Sequence, residues 1–371
     1  SDGTLWAMGS NRYGQLGDGT TPNRSSPVQV ASGVSAVSAG VYHSLYLKSD
    51  GTLWAMGSNG YVQLGDGTTT NRSSPVQVAT GVSAVSAGGS HSLYLKSDGT
   101  LWAKGFNYSG QLGDGTNADR SSPVQVAAGV SAVSAGRDHS LYLKSDGTLW
   151  AMGDNSSGQL GQGSTTNIGA SSSDMANLNQ IRLDADRARD VQTGLSHSCA
   201  ITIERDLQCW GGNSSGQLGL GDTANRGDGA GEMGSALQTV DLGAGSYVVQ
   251  VAIGHSHTCA LLDNGNVKCW GDNSKGALGR NNMTHIGDGA SEMGSSLAAI
   301  DLGTGRRALQ IGAGDRFSCA LLDNGAVKCW GYNNYGQLGQ GASGNLGDST
   351  GEMAALAEIS LDGSAVSITV G

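Results

Sequence analysis

Cysteine and histidine are the residues of this chain best equipped for bond-making or proton transfer, and both recur at fixed intervals. Cys199 with Cys209, Cys259 with Cys269 and Cys319 with Cys329 form three pairs, each ten residues apart across a turn such as Asp263-Asn264-Gly265. Thiols on neighbouring antiparallel strands can close a disulfide when their Cβ atoms lie about 3.5–4.5 Å apart. The even number and repeated spacing predict three bridges and an oxidising compartment, with six buried reduced thiols as the alternative. In units without cysteine the matching positions read Leu45 and Leu53. The pairs fall in different units and lack CxxC spacing, which disfavours zinc.

His43, His91, His139, His197 and His257 occupy one place in five units, and Phe317 takes that place in a sixth. Five copies of one residue do not make one general base, and a packing role survives replacement by phenylalanine, so these histidines are expected to be structural. His255 and His285 fall outside the frame; His255 and His257, on alternate residues, share a strand face, but no metal is assigned to them. Arg226-Gly227-Asp228 looks like an adhesion triplet, yet the later units keep only Gly-Asp followed by Glu-Met, so the arginine is incidental. The spacing of those carboxylates fits no established calcium loop and is expected to serve a turn or an inter-blade hydrogen bond. No phosphate loop, nucleophile elbow or HExxH helix is present. The reading assigns no catalytic residue, cofactor or metal ligand.

The elements that carry these residues are copies of one unit. Trp6, Trp54, Trp102, Trp150, Trp210, Trp270 and Trp330 are separated by 48, 48, 48, 60, 60 and 60 residues, a period typical of propellers and solenoids. His43-Ser44-Leu45-Tyr46-Leu47-Lys48 and Thr52-Leu53-Trp54-Ala55-Met56-Gly57 flank a Ser-Asp-Gly turn suited to a hairpin. Ser74-Pro75-Val76-Gln77-Val78 and Val82-Ser83-Ala84-Val85-Ser86-Ala87 supply two more strands, the proline standing at a strand start where no ladder donor is lost. The prediction is all-β: a seven-bladed β-propeller of four-stranded antiparallel blades in one domain over 1–371. Short units run to about 163, a diverged connection spans 164–190, and the longer units that follow carry loop elaborations such as 226–234. A separate domain at 164–190 is the lesser alternative. Ser1 aligns with Ser49 and Gly371 with Gly40, so one blade lacks the strand equivalent to Val41 through Lys48. Either the stretch of sequence ends short of it, or a flanking segment or another chain donates it.

The run Val37-Ser38-Ala39-Gly40-Val41-Tyr42-His43-Ser44-Leu45-Tyr46-Leu47, with Trp54-Ala55-Met56-Gly57-Ser58-Asn59 and Gly14-Gln15-Leu16-Gly17, resembles the regulator of chromosome condensation repeat family over essentially the whole chain. The resemblance implies a seven-bladed propeller. The founding eukaryotic member is an exchange factor for a small GTPase that docks on chromatin, through loop residues and a basic tail of which none carries over here. In its Gly-Val-Ser-Ala-Val phrase the chain is similar to secreted bacterial members, which implies a bacterial origin.

Composition narrows the partner. Net charge is −10 with no basic tail, which disfavours nucleic acid. No apolar run approaches the ~20 residues of a membrane span, and no secretory signal opens the sequence. Against the fixed frame, two windows vary freely: the pair between Asn and Gly-Gln, and the pair between Gly and the histidine position. One precedes the first hairpin strand and the other follows the second, so both fall at the end opposite the Ser-Asp-Gly turn. Ring closure would gather Arg12, Tyr13, Tyr42, Tyr61, Tyr108, Arg137, Asp138, His255, Lys275, Asp315, Arg316 and Tyr335 into one crown. Tyr and Arg are favoured in protein recognition. The expected function is a non-enzymatic binding module, extracellular or on the cell surface, for a protein or, less favoured, a glycan. The alternatives are an intracellular exchange factor or scaffold, and a propeller lyase or lactonase.

Overall fold

The computed structural model describes residues 3–371, so Ser1 lies outside the described residues. Seven antiparallel sheets follow one another along the chain. The first is β1 (Leu5–Gly9) with β2 (Arg24–Ala31). The second is β3 (Val34–Ala39), β4 (His43–Lys48), β5 (Leu53–Gly57) and β6 (Arg72–Ala79). The third repeats it as β7 (Val82–Ala87), β8 (His91–Lys96), β9 (Leu101–Gly105) and β10 (Arg120–Ala127). The fourth is β11 (Val130–Ala135), β12 (His139–Lys144) and β13 (Leu149–Gly153). After a short helix, α1 (Ser172–Ala176), come β14 (Ala188–Thr193), β15 (His197–Thr202) and β16 (Leu207–Gly211). The sixth sheet is β17 (Val248–Ile253), β18 (His257–Leu262) and β19 (Val267–Gly271). The seventh is β20 (Ala308–Ala313), β21 (Phe317–Leu322) and β22 (Val327–Gly331).

From the fourth sheet onward the outer, fourth position is reduced to isolated bridges, Gly153 with Ile168, Gly211 with Arg226, Gly271 with Ile286 and Gly331 with Leu346. Ile168 thus stands to Gly153 as Arg226, Ile286 and Leu346 stand to Gly211, Gly271 and Gly331. In the first sheet, residues 365–371 hold the inner position: Ala365 donates to the Gly325 carbonyl as Ala308 does to that of Gly265, and Ile368 exchanges hydrogen bonds with the Gln310 side chain. Among the described residues β1 pairs with β2 alone. Its Leu5 and Ala7 are half-buried, whereas Leu53 and Ala55 are wholly inaccessible.

The tryptophans are not one repeated position. Trp54 stands three residues before Gly57 and pairs with Tyr46, whereas Trp210 stands immediately before Gly211 and pairs with Ser198. In blades two to four the half-buried Trp54, Trp102 and Trp150 stack on Tyr46, Tyr94 and Tyr142, with Lys48, Lys96 and Lys144 above them at 4.8, 4.2 and 4.5 Å. Trp210, Trp270 and Trp330 take the place of Met56 instead and are fully buried. Their indole N–H groups donate to the carbonyls of Gln159, Gln217 and Ala277 in the preceding blade. By the same register Cys209 matches Ala55, not Leu53. Spacing by tryptophan shifted the alignment by two residues, and a two-residue shift leaves a strand residue on the same face, so the hydrophobic alternation gives no warning of it.

Adjacent blades meet through a repeated contact. The residue before the strand-end glycine (Met8, Met56, Lys104, Met152, Trp210, Trp270, Trp330) lies against the glycine of Gln-Leu-Gly or Ala-Leu-Gly in the preceding blade (Gly339, Gly17, Gly65, Gly113, Gly161, Gly219, Gly279). A Cβ on Gly219 would sit 2.6 Å from Trp270 Nε1, and one on Gly279 would sit 2.9 Å from Trp330 Nε1. The pair Gly339 with Met8 joins the last blade to the first and closes the circle. Around the axis a second set repeats this closure: a Cβ on Gly254 would meet Gly314 O at 2.5 Å, one on Gly314 would meet Gly371 O at 2.7 Å, and one on Gly371 would meet Ala39 O at 2.6 Å.

Gly67 and Gly219 both have positive φ, +78° and +69°, but Gly67 has open space where Gly219 has the indole. Gly67→Ala should therefore cost about 1–2 kcal/mol, the price of a left-handed non-glycine residue. Gly219→Ala should cost about 1–3 kcal/mol more through overpacking, read as the difference in urea midpoints of the two variants.

Candidate recognition rim

The variable residues sit on loops whose framework side chains are spent on holding the loop. In blade two, the buried Asn59 accepts from Leu64 N through Oδ1 and donates through Nδ2 to Asp66 and to the Thr68 carbonyl. Gln63 Oε1 accepts from Tyr61 N at 3.0 Å. The pair between Asn and Gly-Gln is clamped at both ends while its side chains are left free to differ. The same Asn Oδ1 bond to the leucine amide recurs in all seven loops, from Asn11 to Asn333.

One backbone bond locks the two windows together. Ser58 N donates to Tyr42 O, Phe106 N to Ser90 O, Asp154 N to Asp138 O, Gly212 N to Ser196 O, Asp272 N to Ser256 O and Tyr332 N to Arg316 O, all at 2.8–2.9 Å. Both windows therefore lie at the same end of each blade, as the antiparallel geometry implied. The inner window passes from blade to blade: Gly89 N donates to Gly136 O, Arg137 N to Gly194 O and His255 N to Gly314 O, at 3.1, 3.3 and 3.2 Å.

These bonds expose a third variable position missed in the sequence, the residue directly before the rim asparagine: Ser10, Ser58, Phe106, Asp154, Gly212, Asp272 and Tyr332. Two of its members are aromatic and complete a ring network. Tyr61 meets Phe106 across the blade border at 4.8 Å, Phe106 stacks with Tyr108 at 6.3 Å, Tyr13 meets Tyr42 across the next border at 5.4 Å, and Tyr332 meets Tyr335 at 6.0 Å. Arg12 lies over the Tyr13 ring. Tyr108 is 75% exposed, and Tyr42, Tyr61 and Tyr335 about half. The signal was available, because the position varies between units as freely as the other two.

The rim is divided. Aromatic side chains occupy blades seven, one, two and three, while the charged candidates stand on blades four, six and seven apart from Arg12 on blade one, and blade seven carries both kinds. Arg137 pairs with Asp138 at 3.4 Å, and Arg316 lies 3.9 Å from Asp315 and 4.0 Å from Asp272. Burial, with Asp154 nearby, holds the Asp138 carboxyl above its ordinary range against the pull of Arg137. Burial also lowers His255, whose Nδ1 contacts Ser256 Oγ at 3.0 Å. Arg316 adopts φ +68°, a strained value for a side-chain-bearing residue. Among the described residues Lys275 makes no ion pair. Blade five contributes only Leu195, Ser196, Gly212, Ser214 and Ser215 to the variable positions.

The framework histidines are not part of this surface. His91 Nε2 lies 2.9 Å from Ser140 Oγ of the next blade, and that hydroxyl donates to Gln111 O. Because the hydroxyl's hydrogen is engaged, the imidazole must be the donor, which fixes its proton on Nε2. The other four repeat this with Ser92, Ser198, Thr258 and Ser318. Burial depresses His43, His91, His139 and His197 to about 3 and His257 to about 4. The Gly-Asp/Glu-Met loops are closed in the same spirit: Glu232 Oε2 accepts from Gly227 N and Gly229 N, and Glu292 and Glu352 do likewise. Arg226 pairs with Asp222 at 2.6 Å. Among the described residues no group of three or more His, Cys, Asp or Glu could hold a metal.

The cysteine pairs are directly opposed on β15–β16, β18–β19 and β21–β22, with S–S distances of 2.09, 1.95 and 2.02 Å. No helix is long and apolar enough to cross a membrane among the described residues.

The model of the regulator of chromosome condensation (RCC1) repeat matches residues 2–47, 50–95, 98–143 and 146–201, and a second model of the same repeat matches six stretches from 34–63 to 309–337. The chain belongs to the RCC1 repeat family. Human E3 ubiquitin-protein ligase HERC2 is 36% identical over 162 residues, 43% of this chain and 3% of that protein. The ultraviolet-B receptor UVR8 of Arabidopsis thaliana is 32% identical over 155 residues, 42% of this chain and 32% of the receptor. The match thus spans about a third or less of these relatives' length. Among solved structures, human WBSCR16 superposes with a TM-score of 0.78 at 21% identity, over 99% of this chain and 96% of that one. Prp20p of Saccharomyces cerevisiae gives 0.77 at 19% identity, over 96% and 86%. These likenesses establish the RCC1 fold, while the rim residues belong to this chain.

The histidine geometry sets a pH dependence. Neutral in the fold and ordinary at 6.5 when unfolded, the five imidazoles leave the unfolded chain binding more protons between pH 6.5 and about 3. Stability should therefore fall as pH drops through that window. The five ring ¹⁵N spectra should keep a neutral, Nε2-protonated pattern down to the onset of acid unfolding; a titration near 6.5 in the folded protein would contradict the buried pairing.

Proposed function

We propose that this RCC1-type propeller is a non-enzymatic binding module, secreted or displayed on a cell surface, that recognises a protein through its variable rim. The observation that carries the reading is the aromatic arc. Tyrosines about half exposed or more make ring contacts with a neighbouring aromatic, two of them across blade borders, above loops that asparagine and glutamine hold through backbone hydrogen bonds. Large rigid aromatics offer contact area at little entropic cost, which is why they dominate protein-binding surfaces. Tyr13, Tyr42, Tyr61, Tyr108 and Tyr335, with Phe106 and Tyr332 added, form the aromatic contact, and Arg12 lies over the Tyr13 ring beside them. Arg137, Asp138, His255, Lys275, Asp315 and Arg316 supply the charged flank. A glycan is the less favoured occupant. Proteins of the same fold support a protein partner: solved structures describe yeast RCC1 (Prp20) with Kap60, and Prp20p binding to Gsp1p and histones. Export is supported by three cysteine pairs at disulfide distance.

The paired substitutions Tyr13→Ala with Tyr42→Ala, and Tyr61→Ala with Tyr108→Ala, should each weaken a partner identified with the unaltered protein by at least about tenfold, the scale of a hot-spot pair. Their unfolding midpoints should stay close to that of the parent. Equal retention of every bound protein by parent and variants would refute the rim assignment. Intact mass without reduction should be lower by about 6 Da, two hydrogens per bridge; an unchanged mass would place the protein in a reducing compartment.

A further inference from the structure

Six of the seven inter-blade seams are filled by methionine or tryptophan, and one by lysine. Lys104 follows Leu101-Trp102-Ala103 where the sister strands carry Met56 and Met152, and its side chain is wholly buried. Its ammonium donates to Leu64 O at 2.5 Å, the only hydrogen bond it makes among the described residues, although it has three hydrogens to place. The neutral indole of Trp210 fills the sister site with one N–H on one carbonyl, Gln159 O, and leaves nothing unsatisfied. Around Lys104, blade two presents the Asp66 carboxylate, already paired with Arg72 at 2.7 Å, and the neutral His43 imidazole. Blade three presents the Tyr94 ring at 5.8 Å.

The same seam carries the shortest aromatic contact of the rim. Phe106 lies two residues beyond Lys104, Tyr61 lies three before Leu64, and their rings meet at 4.8 Å. We propose that Lys104 is a pH-sensitive lock on the seam between blades two and three, and that its protonation loosens the Tyr61–Phe106–Tyr108 part of the rim. The first half stands on the packing alone; the second rests on the reading of the rim as the recognition site.

The sign follows from burial, which lowers the amine to about 7 in the closed seam from its ordinary 10.5. An opened seam returns Lys104 to water and binds more protons between those values, so closure strengthens as pH rises from 7 towards 10.5 and is weakest below 7. Asp66 opposes the shift but is outweighed by desolvation.

Hydrogen exchange on the 371-residue protein, corrected for intrinsic rates, tests this without any partner. Between pH 9 and pH 6, segments 61–66 and 102–108 should open at least about tenfold more often, the factor for each unit of proton affinity gained on opening. Lys104→Met, which installs the sister residue, should abolish that increase, and the Gly113–Met152 seam should show none in either protein. A parent seam no more pH-dependent than that of Lys104→Met, or a sister seam that opens equally, would overturn the lock. With a partner in hand, affinity that falls at pH 6 in the parent but not in Lys104→Met supports the coupling. A seam that opens while affinity stays constant would overturn the coupling and, with it, the placing of the partner over this part of the rim, leaving the lock intact.

Discussion

A side chain that reaches across to a glycine in the preceding blade is the contact on which everything else in this molecule depends. Each blade alone is a thin sheet with one apolar face and no partner for it. The missing Cβ in Gln-Leu-Gly lets methionine, tryptophan or lysine slide over the backbone of the neighbour and bury both faces at once. Because the contact is made seven times, including Gly339 to Met8, the geometry of each step is fixed and the circle closes. The axial glycines repeat the constraint at the centre, where any side chain would strike the next blade's carbonyl.

Closure divides the residues into two populations. Histidine, serine, asparagine, glutamine and the loop glutamates bond buried backbone or one another and so hold the frame, although Nδ1 of each framework histidine and Nε2 of Gln63 and Gln111 are left without a partner among the described residues. The five histidines show this most clearly: each is a donor to a hydroxyl that is itself committed, and burial keeps it neutral. What remains free to differ is a set of three windows on one face, five residues in a complete blade. Rigid support beneath variable side chains is the arrangement that lowers the entropic cost of binding, and here the aromatic and charged arcs overlap on blade seven, with Arg12 among the aromatics.

The architecture was legible in the sequence because the unit is repeated: the strand pairs, the hairpin turns, the cysteine pairing and the shared face of both windows all follow from comparing copies. Three things were not. Aligning on tryptophan hid the change from Trp54 to Trp210, since a two-residue shift keeps the same strand face; the hydrogen-bond register and the distance from tryptophan to the strand-end glycine tell them apart. The residue before the rim asparagine was overlooked because it reads as the end of a strand; its backbone bond to the other window is what makes it part of the rim. Phe106 and Tyr332, absent from the candidate residues, join tyrosines that would otherwise stand alone into the groups Tyr61–Phe106–Tyr108 and Tyr332–Tyr335. Lys104 does not stand out in the sequence, because a single lysine at a position held by methionine in the sister strands does not reveal that its slot is sealed.

The central claim is that the ring closes and so brings unlike side chains to one face. Tyr335 and Tyr13 bear the same relation across the closing border that Tyr13 and Tyr61 bear across the next, each standing two residues after the rim asparagine. Pulsed electron resonance between nitroxides introduced as non-cysteine amino acids at these positions measures that relation directly. The account predicts closely matching distance distributions for the 335/13 and 13/61 pairs; a longer or broad distribution for 335/13 would mean an open stack and would contradict it.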